Sequence, residues 1–100
     1  MSALFPDQQR EPTAKFGLGR IVATPNALSM LSNEEILRAI QRHQAGDWGD
    51  VDEHDRQENE LSLKEGFRLF SVYHSAQRVK FWIITESDRS STTLLLPEDY

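Results

Sequence analysis

Cysteine is absent from the sequence, which excludes disulfide bonds, thiol nucleophiles and zinc–thiolate centres. The sequence also lacks an apolar run long enough for a membrane-spanning helix, and its N-terminus has no basic stretch followed by an apolar core. We therefore expect a cytoplasmic protein with no membrane span and no secretory signal. A chain of 100 residues predicts one domain with one modest core.

Basic residues are scarce. Eleven Lys and Arg stand against sixteen Asp and Glu, for a net charge of -5. Nucleic-acid-binding proteins need a basic face that displaces counterions from phosphates, so we predict no binding to duplex DNA at physiological salt. A regulator that binds nucleic acid through Arg20, Arg38 and Arg42 remains an alternative.

A strong hairpin signal lies between residues 79 and 96. Residues 79–85 and 91–96 are rich in β-branched, aromatic and aliphatic side chains, and the segment between them is polar. This pattern is typical of two antiparallel strands joined by a short loop. Because this is the most apolar part of the chain, we expect it at the centre of a sheet. Residues 16–23 and 67–74 predict two further strands.

Helix signals follow the first predicted strand. A short helical segment comes first, and a capping-box pair, Ser32 and Glu35, then predicts a longer helix that ends at Gly46. Residues 52–65 predict a charged helix with little apolar surface, ended by Gly66.

These elements predict an α+β fold. With the two longer helices, the expected order is β-α-α-β-β-β, as a four-stranded antiparallel sheet with the helices packed on one face. Residues 1–15 hold little that a core could bury and predict a flexible N-terminal arm. Residues 16–100 predict a single compact domain.

Two short motifs carry a family resemblance: Gly-Asp-Trp-Gly-Asp at 46–50 and Thr-Glu-x-Asp-Arg-Ser at 85–90. With the flanking sequence, they make residues 16–100 resemble short proteins of bacterial plasmids, phages and integrated elements. Members are often labelled "plasmid-related protein" or "type I restriction endonuclease subunit M". The glycine-rich cofactor loop and the Asn-Pro-Pro-aromatic motif of a methyltransferase are absent from the sequence. The resemblance therefore implies a mobile-element context and carries no catalytic residue to this chain.

Acidic side chains are concentrated between residues 47 and 60, a segment that contains one arginine, Arg56, and no lysine. A run of this kind usually forms a solvated helix face. It can also meet a basic protein surface, including one that normally holds nucleic acid. The candidate partner-binding residues of this acidic region are Asp47, Asp50, Asp52, Glu53, Asp55, Glu58 and Glu60.

A second candidate surface is one face of the predicted sheet. If the central strands pair in register, Phe70, Val72, Trp82 and Ile84 lie together on it. Leaving such a face in water costs about 25 cal/mol per Å² of apolar area. We therefore expect it to be covered, by a second copy in a homodimer or, second in preference, by Leu4 and Phe5.

The histidines and aspartates near the acidic region suggest a metal site, but their spacing matches no ligand motif such as His-Glu-x-x-His. We expect His43 and His54 on the surfaces of different helices, and we predict no metal, no cofactor and no catalytic residue. A small metal- or nucleotide-dependent enzyme remains an alternative.

Two further residues have a structural and a functional interpretation. Trp48 is more often a buried aromatic that joins helices to a sheet than a ligand contact. Arg89, at the hairpin tip, is more often part of the loop structure than a side chain offered to a phosphate or carboxylate.

The sequence thus favours a non-enzymatic accessory protein of a mobile genetic element that acts by protein–protein binding. An acidic inhibitor of a host defence protein or of a nucleic-acid-binding protein fits this interpretation. The identity of the protein partner does not follow from the sequence.

Overall fold

A computed structural model describes residues 14–100. Most of the predicted arm, including Leu4 and Phe5, lies outside the described residues. The elements in chain order are β1 (Arg20–Ala23), α1 (Pro25–Met30), α2 (Asn33–Gln44), α3 (Glu53–Glu65), β2 (Leu69–His74), β3 (Lys80–Thr85), β4 (Ser91–Leu95) and a 3₁₀ turn (Pro97–Asp99).

The predicted helix ends are confirmed. Ser32 accepts a hydrogen bond from the Glu35 backbone N–H, and Glu35 accepts one from the Ser32 backbone N–H, which completes the capping box. Asp52 caps α3 by accepting a hydrogen bond from the Asp55 backbone N–H. The left-handed conformation of Gly66 ends that helix.

The sheet is mixed, with the strand order β1-β4-β3-β2. The predicted hairpin strands β3 and β4 are central, and the β2–β3 and β3–β4 pairs are antiparallel. The prediction of a wholly antiparallel sheet is wrong, because β1 pairs with β4 in parallel, with Ala23 opposite Leu94. Three helices connect β1 to β2, which is long enough for the chain to reach the far edge of the sheet. The expected order β-α-α-β-β-β lacks one helix, and the observed order is β-α-α-α-β-β-β.

The core lies between α1, α2 and one face of the sheet. Its buried residues include Ala27 and Leu31 around α1, Ala39 in α2 and Tyr73, Phe81, Ile83 and Leu94 in the strands. The expectation that all helices pack on one face is wrong for α3, which has little apolar surface to bury. This helix lies along the outer edge of β2 instead.

That outer edge is closed by backbone and side-chain hydrogen bonds. The Asn59 amide of α3 donates to the Phe70 carbonyl (2.7 Å) and accepts from the Phe70 N–H (3.0 Å). The Val72 N–H donates to the Trp48 carbonyl (3.0 Å), and the Asp50 N–H donates to the Val72 carbonyl (2.7 Å). The Gly-Asp-Trp-Gly-Asp turn and α3 therefore protect an edge that could otherwise pair with another chain.

Candidate functional site

Trp48 is part of the core, as predicted. Only 3% of the residue is exposed, and its ring packs against Phe16 (6.2 Å between centroids) and His43 (5.7 Å). Its indole Nε1 donates to the Glu60 carboxylate at 2.9 Å, which ties the turn to α3. Phe16 was expected in the first strand, but it lies before β1 and belongs to this aromatic cluster.

His43 is fully buried, so its expected position on a helix surface is wrong, whereas His54 is exposed as expected. The Thr92 hydroxyl donates its hydrogen to the Leu18 carbonyl (2.7 Å). The Thr92 hydroxyl oxygen therefore accepts the hydrogen bond from the Thr85 hydroxyl (2.7 Å). Thr85 then accepts from His43 Nε2 (2.9 Å), and Nδ1 accepts from Ser71 (2.6 Å). This chain of donors assigns the neutral Nε2–H tautomer.

Burial is the main cause that lowers the pKa of His43 to about 3, with a smaller contribution from the positive charge of Arg89. Both ring nitrogens are engaged by hydroxyl groups, so the geometry gives this residue a structural role. Its position three and seven residues after Ile40 and Ile36, on the apolar stripe of α2, was the sequence signal for burial.

The two aspartates of the Gly-Asp-Trp-Gly-Asp turn have partners within the fold. Asp47 accepts from the Arg42 guanidinium at 2.7 and 3.2 Å, and this contact holds the pKa of its carboxyl below the usual range. Asp50 lies 2.8 Å from His74. Neither carboxylate is therefore free to meet a partner without losing an internal contact.

Three acidic residues near or in α3 also have internal contacts. Asp52 caps the helix, Glu53 accepts from the guanidinium of Arg56 one turn later, and Glu60 accepts from Trp48. The predicted acidic region is thus largely used in holding the turn and α3 in place.

Asp55 and Glu58 are the remaining two members of the acidic region. The salt-bridge partner of both among residues 14–100 is His54, at 3.6 Å and 4.0 Å. Asp52, His54 and Asp55 also bring donor atoms within 4.8 Å of one another, but Asp52 is the N-cap and the group is largely exposed. Clusters of exposed acidic groups are common without a metal, so we assign no metal site to it.

The predicted sheet face is present. Phe70 lies opposite Ile84, and Val72 lies opposite Trp82, in the register of β2 and β3. Val72 and Ile84 are buried, while Phe70 and Trp82 are partly exposed. Tyr100 packs against Trp82, and residues of α3 border this face, neither of which the sequence indicated.

The partly exposed section of this face forms a groove of about 510 Å³, which we call the Trp82 groove. Phe70, Trp82 and Ile84 of the sheet line it, together with Asp55 and Glu58 of α3. Both predicted partner-binding surfaces thus contribute residues to one concave site.

Aromatic side chains complete the lining of the Trp82 groove. Phe67 is 53% exposed and Tyr100 is 73% exposed. The Trp82 ring meets Phe70 and Tyr100 edge-on, with centroid distances of 5.2 and 5.7 Å. The indole Nε1 of Trp82 is buried and has no hydrogen-bond acceptor among the residues that the structure describes. Such an unsatisfied donor is uncommon in native proteins.

The hairpin tip has the local turn structure that was predicted, because the Ser90 N–H donates to the Asp88 carboxylate (3.0 Å), but the contacts of Arg89 with one end of the groove were not predicted. The Arg89 guanidinium donates to the carbonyls of Phe67 (2.7 Å) and Ser62 (3.0 Å). The hairpin tip therefore holds the C-terminal end of α3 next to the start of β2. The guanidinium of this partly exposed arginine is engaged with backbone carbonyls.

Acidic neighbours partly neutralise the charges of two of the three arginines that were considered for nucleic-acid binding. Arg42 contacts Asp47 and lies over the Tyr73 ring at 4.6 Å, and Arg38 lies 3.7 Å from Glu34. Arg20 is exposed in β1. The three side chains therefore do not supply an unopposed basic face.

No protein-family model matches the chain, and neither curated proteins nor solved structures gave a significant match. Among the helices of residues 14–100, none is long and apolar enough to cross a membrane.

Proposed function

We propose that this chain is a non-enzymatic accessory protein that acts by binding another protein through the Trp82 groove. The observation that carries the proposal is an open concavity lined by four aromatic residues, two of which are more than half exposed. Aromatic side chains dominate the binding energy of many protein interfaces. Phe67, Phe70, Trp82 and Tyr100 are the residues that we expect to contribute most.

The charge of the groove and the family resemblance guide the choice of partner. Asp55 and Glu58 favour a basic surface, and the resemblance to proteins of plasmids and phages suggests a mobile-element context. A host defence protein or a nucleic-acid-binding protein has the basic surface that this site would cover. The protein would then act as an acidic inhibitor.

Site-specific photo-cross-linking in the bacterial host tests this function. With p-benzoylphenylalanine in place of Phe67, which is 53% exposed, we expect a cross-link to one defined host protein. The same group in place of Leu37, which is 60% exposed on α2, should give no such product. The charge reversal Glu58→Lys should abolish the cross-link at position 67, while Glu34→Lys should leave it unchanged.

Equal cross-linking from both positions, or indifference to Glu58→Lys, would contradict binding through the groove. A cross-link to a second copy of the chain alone would replace the host partner with a homodimer.

A further inference from the structure

We propose that the Trp82 groove receives one basic side chain of the partner protein, arginine or lysine, with its cation at Asp55 and Glu58. This inference rests on the proposed function and adds the chemistry of the recognised group. The hydrocarbon part of the side chain would lie against the aromatic residues that line the groove.

The first support is the spacing and availability of the two carboxylates. Asp55 and Glu58 are three residues apart on α3, so they lie on the same side of the helix. Their side chains are 47% and 62% exposed. The other five members of the acidic region are engaged by a helix cap, a guanidinium, an imidazole or an indole.

The second support is the set of aromatic side chains that line the groove together with these carboxylates. A guanidinium or ammonium group is attracted to the face of a tryptophan, tyrosine or phenylalanine ring, and the attraction strengthens as water is excluded. Trp82, Phe70 and Tyr100 offer three rings within one groove. Carboxylates and aromatic rings that line one groove suit a long side chain that is apolar along its length and charged at its end.

The remaining polar groups limit the groove to one cation. Arg68 also lines the groove and donates to the Tyr100 hydroxyl at 3.3 Å, so a second positive charge near it would be repelled. His54 lies beside both carboxylates on α3, at 3.6 Å from Asp55 and 4.0 Å from Glu58. The Arg68 guanidinium is a donor, which suits a carbonyl or carboxylate oxygen of the partner.

A pair of isosteric probes tests this chemistry in the full-length protein. N-acetyl-argininamide carries the cation, and N-acetyl-citrullinamide has nearly the same shape without the charge. We expect the indole N–H resonance of Trp82, followed by ¹H–¹⁵N NMR and assigned with Trp82→Phe, to shift saturably with the arginine probe. The citrulline probe should bind about tenfold more weakly. The indole resonance of Trp48, which is buried and bonded to Glu60, should not move.

Matched charge variants complete the test. Asp55→Asn with Glu58→Gln should weaken the arginine probe about tenfold, while Glu34→Gln on α2 should have no effect. Equal binding of the two probes, no saturable shift at Trp82, or a shift that persists in the double variant would overturn the proposal.

Other occupants of the groove have distinct signatures. A shift of Trp82 that grows with protein concentration alone would assign the groove to a second copy. A shift caused by Leu4→Ala with Phe5→Ala would assign it to the N-terminal residues. Either result would overturn the basic-side-chain proposal. A cross-link at position 67 without arginine selectivity would overturn this inference and leave the proposed function standing.

Discussion

Gly49→Ala is expected to cost about 3–5 kcal/mol of folding free energy, a large part of the stability of a domain this size. Gly49 has a φ of +76°, and a Cβ placed there would collide with the Val72 carbonyl oxygen and lie 2.7 Å from the Tyr73 ring. The turn would have to move away from β2. It would then lose the two hydrogen bonds that Val72 makes with Trp48 and Asp50.

Gly66→Ala is the matched control. Gly66 has a similar φ of +81°, but a Cβ placed there meets no atom within 4 Å from the packed residues of the described range 14–100. The folding stability of this variant should fall by only about 1–2 kcal/mol, which is the cost of placing an alanine in the left-handed conformation. Urea denaturation of both variants separates the loss of stability caused by the collision from the loss caused by the left-handed backbone. Equal losses would show that the close approach of the turn to β2 is not needed.

The second large effect is a pH dependence carried by His43. In the unfolded chain this histidine takes up a proton near its ordinary pKa of 6.5, whereas in the fold its pKa is lowered to about 3. Between these values the unfolded state binds more protons, so the stability falls as the pH falls. From pH 7 to pH 5, we expect His43 to account for a loss of about 2 kcal/mol.

The carboxylates do not obscure this window. Carboxylates with lowered pKa values, including Glu35 and Asp47, lose their contribution to folding stability only below about pH 5, because the pKa values of these groups in the unfolded chain lie near 4. Urea denaturation at pH 5 and 7 gives the change in the free energy of unfolding for the wild type and for His43→Asn. The difference between these two changes is the contribution of His43.

If the variant is too unstable to measure, NMR of the imidazole in the wild type gives an independent result. The His43 ring should remain the neutral Nε2–H tautomer from pH 8 to pH 5. A protonated ring at pH 5, or equal pH slopes for both proteins, would contradict the buried network.

The local features of the fold follow from the sequence, because they depend on residues that are close in the chain. The Ser32–Glu35 capping box, the helix end at Gly66 and the hairpin of β3 and β4 are of this kind. The shared face of Phe70, Val72, Trp82 and Ile84 follows from strand alternation once the two strands are placed in register.

The features that the sequence did not reveal depend on distant partners. The parallel pairing of β1 follows from the connection through three helices, and nothing in residues 20–23 specifies it. The position of α3 along the edge of β2 depends on the Asn59 amide, which meets Phe70 eleven residues later. The groove arises because this placement brings Asp55 and Glu58 next to Trp82.

Hydroxyl-radical footprinting of the full-length protein, alone and with the partner captured by cross-linking, tests the groove most directly. Phe67 and Tyr100, which are 53% and 73% exposed, should lose most of their reactivity in the complex. Leu28 and Leu37, which are 57% and 60% exposed on α1 and α2, should keep theirs. Protection of the two leucines, with Phe67 and Tyr100 unchanged, would place the interface on the helical layer and contradict binding through the Trp82 groove.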